Sequence, residues 1–266
     1  MDPRFTLIGL IIGFLIGLTG MGGGALMTPV MILVMGVKPV IAVGTDMVYG
    51  AVTKIVGGTA HWRQGTVHRK TGYLLGLGSV PATLLGVGVI SAVERTNPEL
   101  ANVVLTRAVA WILIVVAVIM VAKPAITKVA QRCGMRRERD FRDDLQDLGD
   151  RAPWVLPIIG ALVGFVVGLT SVGSGTLIIV SLLFLYPRWQ SKDLVGTDVF
   201  HAAILGTGAS IAEFAGGNVN VSMAASLLLG SIPGVLVGSR LAVGFPEQLL
   251  RFSLAAVLVV SGAKLL

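Results

Sequence analysis

The chain has 266 residues, 54% of them hydrophobic and 13% charged, with 35 glycines and a mean hydropathy of +0.86; a soluble domain averages about 25% charged residues. That balance excludes a soluble globular domain and points to a membrane protein, and a single cysteine (Cys133) with 3 histidines excludes a disulfide framework and multi-cysteine zinc or iron–sulfur sites, so no metal and no cofactor are expected. The net charge of +7 does not mark a nucleic-acid binder, because 8 of the 21 Lys and Arg, together with 6 of the 14 acidic residues, crowd between Lys123 and Arg151, as in a cytoplasmic membrane-flanking segment.

A spanning helix needs roughly 20 apolar residues. The apolar runs are interrupted at Gly20–Gly24, Lys38–Pro39, His61–Lys70, Glu94–Asn102 and Lys123–Pro153, then at Thr170–Gly175, Pro187–Asp193, Gly216–Asn220 and Gly244–Glu247. This spacing predicts an all-α polytopic protein: a first transmembrane repeat over 1–122, a charged cytoplasmic linker over 123–153 and a second repeat over 154–266, each repeat with about five helical segments, some short or broken. The amino end reads as mature structure and not as a signal peptide, since its Gly/Thr pattern returns after residue 160.

The duplication is visible residue by residue. Gly13–Gly24 lies over Gly164–Gly175 at an offset of 151, with 7 of 12 positions identical; Val43-Gly44-Thr45-Asp46 recurs as Val195-Gly196-Thr197-Asp198, and Leu77-Gly-Ser-Val-Pro81 as Leu229-Gly-Ser-Ile-Pro233, both at 152. If Phe5–Gly36 is one span, the repeats are parallel; if it is a two-part segment that returns to its starting side, they are inverted. The inverted arrangement places 15 Lys and Arg on the side of the central linker against 5 opposite, the parallel one 13 against 7. The positive-inside rule therefore favours inverted repeats, a cytoplasmic linker and both termini outside.

Gly9, Gly13 and Gly17, matched by Gly160, Gly164 and Gly168, have the small-xxx-small spacing that lets helix backbones approach closely. The run Gly20-Met-Gly-Gly-Gly24 differs, because consecutive glycines do not sustain a helix, and non-helical backbone at membrane depth persists only inside protein or along a polar cavity. A break there offers free N–H groups near Gly24 and the positive end of the following helix to an anion. Its counterpart, Ser171-Val-Gly-Ser-Gly175, adds two hydroxyl donors, Ser171 and Ser174.

Asp46 and Asp198 fall some seven residues into helices beginning near Pro39 and Ser191, hence about 10 Å along each axis. A carboxylate held centrally in a bilayer costs about 2.5–3.5 kcal/mol on insertion scales. Either each Asp caps the N–H groups of the neighbouring broken helix and holds the fold, or it takes up protons and couples them to an anion's passage; both readings stay open. His201 shares a helical face with Asp198, where a structural histidine leads over a proton relay. Lys54 is the one cation deep in an apolar segment, and its repeat mate is Gly206; anion attraction, pairing with an acid and snorkelling are its three readings. Glu213 is expected at the interface, and Pro81 and Pro233 are expected to favour kinks. No nucleophile elbow, HExxH, P-loop or Cys/His constellation is present, so an enzyme is not expected and a secondary carrier is.

The paired motifs Gly17-Leu-Thr-Gly-Met-Gly-Gly-Gly24 and Gly168-Leu-Thr-Ser-Val-Gly-Ser-Gly175, each followed by Val-Gly-Thr and a polar residue, resemble the TauE/SafE family, also called the toluene sulfonate uptake permease family, over nearly the whole chain. The resemblance implies a bacterial inner-membrane carrier for sulfite or an organosulfonate such as sulfoacetate, often an exporter; inverted repeats would let the two glycine breaks meet near the midplane and form one anion site. It makes Thr19, Gly22, Gly23, Gly24, Thr45, Thr170, Ser171, Gly173, Ser174, Gly175 and Thr197 the substrate-pathway candidates. Other members carry other anions, so a carboxylate or thiosulfate carrier and a passive anion pore remain the competing readings. The partners expected are a small anion and the lipid bilayer, with proton coupling through Asp46, Asp198 or His201, and no nucleic acid; the sequence does not indicate an oligomeric state.

Overall fold

The computed structural model describes residues 3–19, 24–140, 152–186, 189–241 and 247–266, and among these it contains ten helices and no strands. The first half comprises α1 (Pro3–Thr19), α2 (Gly24–Leu33), α3 (Pro39–Arg63), α4 (Arg69–Thr96) and α5 (Pro98–Asp140); the second comprises α6 (Val155–Thr170), α7 (Ser174–Leu185), α8 (Ser191–Gly216), α9 (Val221–Leu241) and α10 (Glu247–Leu265). Within Phe5–Gly36 the described residues form two helices, α1 and α2. Helices α3, α4, α5 as far as Ile126, α8, and α9 as far as Gly238 are long and apolar enough to cross a membrane, so the protein is an all-helical polytopic membrane protein.

Local sequence accounts for the helix ends. Pro39 starts α3, where its fixed φ suits the first turn and its missing N–H costs nothing. Gly65 and Gly217, repeat mates, follow α3 and α8 with φ of 71° and 77°, the left-handed turn that closes a helix and favours glycine. The backbone of α5 continues as helix to Asp140, so the first part of the charged linker extends a helix rather than forming a loop. Helices α4 and α9 run through Pro81 and Pro233.

The two halves are interleaved. The main partner of α1 is α9 of the other half, that of α6 is α4, and α3 packs against α8. A Cβ at Gly9 or Gly13 would strike the backbone of Leu227 or Ser231; one at Gly160 or Gly164 would strike Leu75 or Ser79, the residues 152 earlier. The glycine stripes thus bring backbones of opposite halves into direct contact twice, in equivalent ways. These contacts advance together along α1 and α9 and along α6 and α4, so each pair is parallel. Along α3 and α8 they advance oppositely: Gly58 faces Phe200, Gly206 faces Ala51, and Ser210 Oγ donates to the carbonyl of Met47 at 3.2 Å. The repeat mates α3 and α8 are therefore antiparallel.

One apolar core surrounds Met27, Met31, Tyr49, Leu105 and Leu113, and a second surrounds Leu156, Ile178, Leu182 and Leu205. Leu77, Leu85, Leu162 and Leu236 are exposed on the outer helix faces, which in a bilayer meet acyl chains.

Candidate functional site

The second glycine-rich run breaks the helix as its composition predicts. Helix α6 ends at Thr170, Ser171 takes φ 59°, Gly173 takes φ 95°, and α7 begins at Ser174. Ser171 is the one non-glycine residue with positive φ among the described residues, a conformation that costs a side-chain-bearing residue energy and persists only where surrounding structure fixes it. Thr170, itself buried, stitches the break: its hydroxyl donates to the Val166 carbonyl at 2.8 Å and accepts from the Val172 N–H at 3.3 Å. No side chain caps the start of α7, so its first N–H groups keep the orphan donors and positive dipole end of a helix N-terminus. The matching first-half break lies between the end of α1 at Thr19 and the start of α2 at Gly24; Gly22 and Gly23 lie outside the described residues.

Three charged residues line up along this second break. Asp46 is fully buried and accepts a hydrogen bond from Thr28 Oγ1 of α2 at 2.6 Å on one carboxylate oxygen. The Ser171 hydroxyl lies near the same carboxylate, although Oδ1 closes no well-formed bond. Lys54 reaches across from α3 and donates from Nζ to Ser174 Oγ at 2.8 Å, close enough to both Asp46 and Asp198 for their charges to act on it. Asp198 lies against the first turn of α7: a Cβ on Gly175 would meet its Oδ2 at 3.2 Å, and its Oδ1 has no hydrogen-bond partner. The 2.8 Å contact ties the Lys54 ammonium to the start of the broken helix.

Thr45 and Thr197 are fully buried and perform matched tasks. Thr45 Oγ1 accepts the N–H of Asn220 at 3.1 Å, and Thr197 Oγ1 accepts the N–H of His68 at 3.0 Å. Asn220 and His68 are repeat mates directly before α9 and α4, so each threonine pins the start of a helix in the opposite half. His201 Nε2 and Ser79 Oγ share a 2.8 Å hydrogen bond whose direction follows the ring tautomer, and Nδ1 has no partner. The equivalent pair in the other half is Tyr49, fully buried, with Ser231 beside its hydroxyl. Sequence reasoning passed over Tyr49, yet adding the repeat offset of 152 to its number gives His201.

Glu213, expected at the interface, is buried with 3% exposure, and Asn218 Nδ2 donates to it at 2.8 Å. Its repeat mate His61 bonds Thr66, the mate of Asn218, at 2.9 Å. Both pairs close the turn after a central helix. Among the described residues no group of three or more His, Cys, Asp or Glu could hold a metal ion.

Interleaved halves, a helix broken at Ser171–Gly173 and charged residues gathered at that break fit the class of polytopic membrane transporter. Residues 5–265 match the family model described as "Sulfite exporter TauE/SafE", and the chain belongs to that family. It is 38% identical over 266 residues to "Probable membrane transporter protein YjnA" of Bacillus subtilis (strain 168), covering the whole of both chains. It is 26% identical to YunE of the same organism, covering 97% of this chain and 95% of that one, and 20% identical to YdhB, covering 98% of each; both carry the same description. No solved structure matches the chain.

Proposed function

We propose that this transporter is a secondary carrier of sulfite or an organosulfonate across the bacterial inner membrane, the anion binding near the midplane where the helix breaks of both halves meet and running outward where it accumulates inside. The observation that carries the reading is the Lys54 Nζ to Ser174 Oγ contact of 2.8 Å at the uncapped start of α7. It places a cation, hydroxyls and free N–H groups together inside an apolar bundle, the set that can replace an anion's hydration shell. The antiparallel run of α3 and α8 supports inverted repeats, with alternating access as one half moves against the other. The name of the family model supports sulfite as the first anion to test.

Purified protein in proteoliposomes preloaded with sulfite should exchange it for external radiolabelled sulfite with saturation, and thiosulfate, sulfoacetate and acetate added outside rank the competitors. Saturable exchange of acetate with no competition from the sulfur anions would replace this substrate class by carboxylates, and non-saturating flux would replace the carrier by a pore. Orientation has its own test in the single cysteine: with the linker cytoplasmic, Cys133 should react with an impermeant maleimide in inverted vesicles and not in spheroplasts. The opposite pattern would reverse the topology.

A further inference from the structure

The two repeat-related aspartates are not equivalent, and the difference assigns them different work. Asp46 is held by Thr28 at 2.6 Å, a donor whose counterpart at the offset of that segment is Ile179. Asp198, 5% exposed, has an unbonded Oδ1, as Asp46 also has, but its Oδ2 lies against Gly175 in the first turn of α7 with no threonine to hold it. That first turn is where an anion would sit, because it carries the orphan N–H groups of a helix with no side-chain cap. An ionised Asp198 therefore occupies, from within the protein, the electrostatic place of the substrate. Two negative charges in contact inside a bundle of low dielectric repel strongly even with partial screening, so the carboxylate and a bound anion exclude one another.

Resting on the carrier reading above, we infer that Asp198 is the proton-coupling residue of this transporter: it must be protonated for an anion to bind between Lys54 and the start of α7, while Asp46 stays a structural acid held by Thr28. With both acids ionised, Asp46, Lys54 and Asp198 sum to one negative charge; protonating Asp198 leaves the three groups neutral in sum before an anion enters. Among the described residues, few groups face Asp198. From α3 they are Lys54, whose charge acts on it, and, beyond Lys54, Asp46. From α4 it is the uncharged Ser79, through His201 on α8 itself, and from α7 the uncharged Ser174 and Gly175. The anion and the proton then travel together, so the net direction follows the sum of their gradients.

The test is calorimetric titration of the purified full-length protein with sulfoacetate and with thiosulfate, both of constant charge between about pH 5.5 and about pH 8.5. Wherever Asp198 is ionised in the free protein, the dissociation constant of the wild type should rise about tenfold per unit of pH, the slope for one linked proton. Asp198→Asn should bind with an affinity independent of pH, and Asp46→Asn should keep the wild-type slope. A pH-independent wild type, or a slope that survives in Asp198→Asn and vanishes in Asp46→Asn, overturns the assignment and leaves the anion site standing. Binding of neither anion by the wild type at any pH overturns the site together with the assignment. If Asp198→Asn does not fold, proton uptake by the wild type and by Asp46→Asn in weak buffer decides the matter: one proton per anion bound in both supports the inference, and none in the wild type overturns it.

Discussion

In the first half, Asp46 accepts a hydrogen bond from Thr28 and lies near Ser171, whereas in the second, Asp198 lies against bare glycine at the start of α7; each acid keeps its Oδ1 unbonded. The helices that present the two acids begin alike, end alike and lock to the opposite half through the same threonine contact. Duplication supplied the scaffold twice; substitutions on one side only, Thr28 against Ile179, Lys54 against Gly206, Tyr49 against His201, gave the chemistry one polarity. A symmetric scaffold lets both halves move as equivalents, while an asymmetric site gives the bound anion one cation and one adjacent free acid.

The largest effects should come from the shared scaffold and be equal in the two halves. Gly164→Ala and Gly13→Ala each press a methyl group into the backbone of the facing helix, at Ser79 and Ser231, and each should destabilise by about 3 kcal/mol, read as a lowered unfolding temperature in detergent. An unequal pair would show that the halves are not packed alike. Next is Thr28→Val, which removes a bond to a buried carboxylate and should cost about 2 kcal/mol. It also turns Asp46 into a likeness of Asp198, so the pH dependence of anion binding should steepen beyond one proton; an unchanged slope would show that Thr28 is not what separates the two acids.

Thr45→Val and Thr197→Val each leave one N–H unpaired at the start of a helix in the other half and should each cost about 1 kcal/mol. A loss of anion affinity in either, with stability held, would move that threonine from the lock to the substrate path. The smallest effect should be a gain. Gly50 sits within α3, where an added methyl group would meet nothing within 4 Å, and Gly50→Ala should stabilise by about 0.5–1 kcal/mol through the unfolded chain alone.

Much of the fold could be read from residue order because the signals are local or periodic. Apolar run lengths, prolines at helix starts and consecutive glycines act over a few residues, and the repeat is a comparison of the sequence with itself. The glycine stripes announced close packing, but not that each packs on the other half, since any small-residue face meets any other equally well. The contact of Glu213 was hidden for a related reason: closeness to a helix end is legible in the sequence, but only the fold brings Asn218 over the carboxylate. At the site, the helix break that carries Ser171 and Ser174 was legible, whereas the bond from Lys54 to Ser174 joins residues 120 apart in the chain and leaves no local trace.

By itself, then, the sequence determined that this chain is a duplicated helical membrane protein with a broken helix in each half and acids at membrane depth, because hydrophobicity, helix breaking and repetition are properties of neighbouring residues. The tertiary structure alone decided which half meets which, that α3 and α8 run antiparallel, and that Lys54 and Asp198 share the start of α7 while Asp46 is held by Thr28. Those outcomes depend on contacts between distant residues, whose energies arise only when the chain has brought them together.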